Sequence, residues 1–186
     1  MMRICPISVL AAAGGFIGNV LGATYNTTTY QGYAPGFLDL IRELPSVTTI
    51  ATSDIQLFHE GSVYHPSTKS LWVCSDQIAV GNATDRYISR IAGLHSPTTV
   101  RVKRVNTRIP NPVGGFRYIQ GTQLGDVILF VAQGSLAKTP PGGIYAVNPY
   151  PPYNSSLLLG SYGDYPFNSL DDITVTPDGL ILVSDP

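Results

Sequence analysis

The sequence predicts an all-β fold, and three observations carry that prediction. Of 186 residues, 19 are Gly and 15 are Pro, and both interrupt helix interiors. Val, Ile, Thr and Tyr fill much of the remainder, residues that suit pleated, half-buried surfaces. Short runs of alternating apolar and polar residues recur between turn-forming dipeptides. Composition also excludes classes of function. With 44% hydrophobic residues the chain is too apolar for a disordered one. Eleven basic against 12 acidic residues, a net charge of −1, provide no field for gripping nucleic acid or an anionic membrane.

Taken in order, residues 1–23 read as a secretory signal peptide. Met1-Met2-Arg3 is a short basic start, Ile4 to Val20 carry no charge, and Leu21-Gly22-Ala23 offers small residues for cleavage. Pro6, Gly14, Gly15, Gly18 and Gly22 break the stretch and argue against a membrane anchor. The mature chain is therefore expected to be extracellular and free of membrane. Three Asn-x-Ser/Thr acceptors, at Asn26, Asn82 and Asn154, are expected on surface loops as glycosylation sites. Residues 24–53 form a lead-in segment with a short helix expected near Phe37 to Leu44. Cys5 falls in the leader, so Cys74 is alone in the mature chain, inside the run Leu71-Trp72-Val73-Cys74, and reads as a buried small hydrophobe.

Residues 54–186 repeat one outline. Glu60 to His65 and Asp171 to Thr176 each place a carboxylate six positions before a proline, Pro66 or Pro177. A turn follows, Ser67 to Ser70 or the hairpin dipeptide Asp178-Gly179. Each turn feeds an apolar strand ending in Ser-Asp, Ser75-Asp76 or Ser184-Asp185. Between them, Phe116 to Ile119, a turn through Gly121 and Gly125-Asp126, and Val127 to Val131 repeat the pattern. The repeat length of about 56 residues is filled by further strands at Tyr87 to Ala92, Thr98 to Val102, Gly143 to Val147 and Ser156 to Leu159. Roughly four strands per repeat is the content of one β-propeller blade. A β-sandwich is the alternative with fewer repeats to explain. The outline covers about three blades of a ring that needs about four to eight. The chain thus reads as the front half of a longer ring, or as a protomer that self-associates through open blade edges.

Nucleophile motifs do not stand out. Gly-x-Ser-x-Gly is missing, His59, His65 and His95 are scattered, and His59-Glu60 lacks the second His of a zinc-protease motif. Val113-Gly114-Gly115-Phe116 lacks the spacing and the Lys of a phosphate loop. The basic run Arg101, Lys103, Arg104 and Arg108 is expected to cover a solvated strand or loop. Glu60 and Asp171 are the more informative pair. Equivalent positions on the innermost strands of different blades would converge on one channel, where two carboxylates repel unless a cation lies between them. Hard oxygen donors suit Ca²⁺ first, with Mg²⁺ or Mn²⁺ next. Each carboxylate could equally cap a nearby turn.

His59-Glu60-Gly61-Ser62-Val63-Tyr64 resembles the opening block of the gluconolactonase/regucalcin-like family, in particular its fungal-type lactonohydrolases. Gly142 to Asn154 resembles a later block of that branch, and Phe167-Asn168-Ser169-Leu170-Asp171-Asp172-Ile173 with Asp178-Gly179 and Ser184-Asp185-Pro186 resembles a third. The resemblance implies a six-bladed β-propeller that opens sugar-type lactones with one divalent cation, Zn²⁺ being a further candidate. It assigns Glu60 and Asp171 to the metal, Asp171 and Asp172 to catalysis, and His59 and Asn168 to substrate. Asp171 stands where the family usually has Asn. The metal-binding Asn and Asp of the family's later blades fall beyond Pro186. The competing expectation is a secreted, non-catalytic binding or scaffold module that uses Tyr-rich loops such as Tyr150-Pro151-Pro152-Tyr153.

Overall fold

The computed structural model describes residues 48–81, 83–118, 125–134 and 140–186. The expected leader, the helix near Phe37 to Leu44, the glycosylation candidates Asn26 and Asn82, and the turn through Gly121 lie outside the described residues. The chain divides into two compact units, Met1–Thr52 and Ser53–Pro186. Within the second, the described residues form fourteen strands and no helix, so the chain is all-β.

Sheet one is an antiparallel meander. It begins with β1 (Glu60–His65) and β2 (Ser70–Cys74), continues after a small hairpin of β3 (Ile78–Val80) and β4 (Ala83–Asp85), and closes with β5 (Ile88–Ala92) and β6 (Arg101–Val105). β2 is apolar after Ser70 and lies inside the sheet beside β5, with Trp72 and Cys74 fully buried. β6 takes the edge, where Arg101 to Arg104 are exposed. Positive side chains on an edge strand discourage further strand addition.

Sheet two repeats the meander with β7 (Pro112–Tyr118), β8 (Val127–Ala132), β9 (Gly143–Val147) and β10 (Ser155–Leu159). A two-stranded hairpin of β11 (Ser161–Tyr162) and β12 (Tyr165–Pro166) leads to sheet three, β13 (Ile173–Val175) paired with β14 (Ile181–Val183).

Two cores result, and β8 supplies both. Its alternating side chains Ile128, Phe130 and Ala132 join Val63, Trp72 and Cys74 of sheet one. Leu129 and Val131 instead join Leu170 and Ile173 beside sheet three. β9 divides in the same way, with Tyr145 and Val147 in the first core and Ile144 and Ala146 in the second. Sheet two is therefore the middle layer. This explains why Val127 to Val131 is a continuous apolar run: a strand covered on both faces has no polar side to show.

A polar clamp fastens sheet one to sheet two at the far end of β1. His65 is fully buried. Its Nδ1 accepts the Thr68 N–H at 3.3 Å, which leaves Nε2 to donate to Asp126 Oδ2 at 3.1 Å. Ser67 Oγ donates to the same oxygen at 3.1 Å, and Arg117 donates through Nε and a terminal nitrogen to Oδ1 at 3.2 Å. Burial opposes charge on Asp126, but Ser67, the field of His65 and the Arg117 fork outweigh it and hold the carboxyl below its ordinary range.

Two elements depart from the sequence expectation. The strand expected over Thr98 to Val102 begins at Arg101 instead. Thr99 Oγ1 donates to Gly93 O and Ser96 O, and Thr98 Oγ1 bonds Ser96 Oγ. Hydroxyls committed to a turn in this way compete with a ladder. β7 begins at Pro112, earlier than the expected Phe116, because Gly114 and Gly115 are strand residues.

Candidate functional site

The first residues of β1 and β7 share one irregularity. In β1, Glu60 pairs with Cys74 and Val63 with Trp72, so Gly61 and Ser62 oppose a single residue. In β7, Pro112 pairs with Ala132 and Gly115 with Phe130, which is the same bulge. Gly61 sits at φ 61°, where a Cβ would lie 2.9 Å from Cys74 Sγ and closer still to Val113 O. A Cβ on Gly114 would lie 2.9 Å from Asp172 Oδ1 and 2.7 Å from Asp171 O. The Gly114 N–H donates to that carbonyl at 3.0 Å. Missing side chains thus let β1, β7 and the start of β13 lie against one another.

That close approach brings Glu60 and Asp171 within electrostatic reach. Burial raises the pKa of Glu60; the nearby His59 and Arg86 lower it, and Asp171 and then Asp76 push it up again, for a net rise. His59 Nε2 lies 4.0 Å from Glu60 Oε1, and an Arg86 terminal nitrogen lies 3.9 Å from the same oxygen. Arg86 also approaches Asp76 at 3.7 Å and donates to Gln133 Oε1 at 2.8 Å. Its Nε is buried and has no hydrogen-bond partner among the described residues. Beneath Glu60 the Cys74 thiol is buried, which pushes its pKa well above the usual range, and the Glu60 charge adds to that. Burial without a dominating cation makes Cys74 inert packing.

The other expected site residues divide. Asp171 is exposed, and among the described residues its carboxylate makes no hydrogen bond. Asp172 turns Oδ1 to the Ile173 N–H at 2.8 Å, so part of its acceptor capacity is spent on backbone. Asn168 belongs to a different tie: its N–H donates to Asp185 Oδ2 at 3.1 Å and its side-chain amide to Pro186 O. Asn154 is exposed before β10. The main-chain pairing runs past the first residue of β1 and of β13 alike. Asp171 N–H donates to Ser184 O and Ser184 N–H to Asp172 O, both at 3.1 Å, just as His59 N–H donates to Cys74 O at 3.0 Å with Glu60 opposite Cys74.

Sequence reasoning missed Arg86, Asp76 and Gln133. The one available signal was Arg86 itself, a charge heading an apolar strand in a chain only 12% charged. No protein-family model, curated protein or solved structure matches the chain.

For a divalent cation, the donors agree in kind: hard carboxylate oxygens, one of them with its charge disfavoured by burial. They are few in number. Calcium takes about six to eight oxygens, and the described residues include no group of three or more His, Cys, Asp or Glu placed to hold a metal.

Proposed function

We propose that the chain is a secreted lactone hydrolase, dependent on a divalent cation and built on a β-propeller whose first blades are sheets one, two and three. One observation carries this reading: β7 lies against both carboxylate-bearing segments, with Gly61, next to Glu60, packed on Val113 and Gly115, and Gly114 packed on Asp171 and Asp172. The face-to-face stacking of the sheets, with β1, β7 and β13 side by side, supports the propeller. A sugar-type lactone suits a polar site holding His59, Glu60, Arg86 and Asp171.

Glu60 and Asp171 would hold the cation, calcium first, and the chemistry it would supply is polarisation of the lactone carbonyl. Asp171, whose carboxylate makes no hydrogen bond among the described residues, takes a proton from water as the water oxygen bonds to the carbonyl carbon. The ring C–O bond then breaks, and the proton passes to the departing alkoxide, giving the open hydroxy acid. Asp172 orients the strand start through Ile173. His59 offers a hydrogen bond to a sugar hydroxyl, and Asn168 holds the adjoining loop to Asp185.

The test is δ-gluconolactone hydrolysis by the purified chain with Ca²⁺, Mg²⁺, Mn²⁺ or Zn²⁺, and again after EDTA. Glu60→Gln and Asp171→Asn are each expected to lower the rate by about a hundredfold or more, and Asp172→Asn by less. Glu60→Gln should leave thermal stability at neutral pH equal or higher. A carboxyl whose folded pKa lies above its unfolded value loses stability as pH rises through that interval, and the amide avoids this. Calcium should raise the melting temperature of the native chain and not that of Glu60→Gln. Absence of metal-dependent hydrolysis with every cation, or full activity in Glu60→Gln, sinks the proposal.

A further inference from the structure

The basic run divides in two once folded. Arg101 and Lys103 are exposed on the β6 edge. Arg104 and Arg108 instead join Arg86 around a cleft of about 310 Å³ that is also lined by Asp85, Asn106 and Thr107. Asp85 pairs with Arg104, and Glu60 and Asp76 flank Arg86, so the positive charge left without an acidic partner in the lining among the described residues is Arg108, while the whole chain carries −1. The volume falls at the lower end of small-ligand sites, about 300 to 1,000 Å³.

Each guanidinium has a distinct anchorage. Arg104 is fixed by Asp85 Oδ2 at 3.2 Å and lies 4.1 Å over the centre of the Tyr87 ring. Arg86 is fixed by Gln133 at 2.8 Å. Arg108 has no acceptor among the described residues. It is held at φ 57°, a left-handed conformation unusual for a residue with a side chain. Its neighbours enforce this: Thr107 and Ile109 are buried, Thr107 N–H donates to Val105 O at 3.1 Å, and Thr107 O accepts Ser155 Oγ. Asn111, also left-handed, pins the other end by donating to Gly134 O at 2.7 Å. Glycine would adopt this conformation more readily than an exposed arginine.

We infer that this cleft binds a small dianion, a phosphoryl or dicarboxylate group, with Arg108 as the capturing fork and Arg86 and Arg104 as the fixed wall. Guanidinium forks match the paired oxygens of both groups. The cleft shares Arg86 with the proposed lactone site but does not depend on that reading.

The test is calorimetric titration of the full chain with inorganic phosphate and, separately, with malonate, at constant ionic strength set by sodium chloride. A saturable heat with a Kd of about 1 mM or tighter is expected for at least one, and the stronger of the two identifies the group. Arg108→Ala should weaken it about tenfold or more, whereas Arg101→Ala, on the same basic run but outside the cleft, should not change it. Arg108→Gly should lose binding while melting no lower than the native chain, because glycine relieves the backbone. No saturable heat with either anion overturns the inference, and so does equal weakening by Arg101→Ala, or native binding by Arg108→Gly.

Discussion

Replacing Gly61 with Ala tests how tightly the strand starts must approach. Two costs arise, and they can be separated. At φ 61° a side chain enters the left-handed region, at about 1–2 kcal/mol. The added Cβ also falls 2.9 Å from Cys74 Sγ and closer to the Val113 carbonyl. The carbonyl belongs to β7, whose bulge holds it in place, so β1 and β7 must part. Overpacking of this kind costs about 1–3 kcal/mol. Together the loss is about 2–5 kcal/mol, a large share of the roughly 5–15 kcal/mol that keeps a domain folded. Gly163→Ala isolates the first cost, since Gly163 sits at φ 58° with nothing within 4 Å of its Cβ position. In urea titrations of both variants, Gly163→Ala should lose about 1–2 kcal/mol, and Gly61→Ala should move its midpoint down by about 1–2 M. If the two agree within about 0.5 kcal/mol, the close approach of β1 to β7 is wrong, and with it the account of how Glu60 meets Asp171.

Two further outcomes follow from buried polar groups. Asp126→Asn should cost about 1 kcal/mol or more at neutral pH by weakening the clamp on His65. Its acid limb should also flatten, because a carboxyl with a depressed folded pKa contributes stability above its unfolded pKa and loses it as pH falls through the folded one; melting curves from pH 7 to pH 2, that is about 5 units, check both. Cys74 should resist a thiol reagent in the native chain and react on denaturation, and labelling at the rate of free cysteine would show that the first core is open.

Strands were legible where side chains alternate against turn residues. Gly143 to Val147 runs as expected, and Ser155 to Leu159 begins one residue early. The reading weakened where the signal is a missing side chain: Gly114 and Gly115 look like a loop in sequence and are strand in three dimensions. It also weakened where a hydroxyl chooses between ladder and turn, as at Thr98 and Thr99. Of the site, Glu60 and Asp171 were visible as carboxylates at a repeating place, and His59 only through the family resemblance. Arg86 was not, since its contacts with Gln133 and Glu60 depend on how two sheets stack. Local pattern does not encode a pairing of that kind.

The division of β8 between two cores bears on how the unit comes apart. Peeling away sheet one would strip Ile128 and Phe130 bare, and peeling away sheet three would do the same to Leu129 and Val131. Neither layer can leave without wetting one side of the same ribbon. Sheets one, two and three therefore have strong reason to unravel as one event, with the middle ribbon the last to loosen its grip on its own amides.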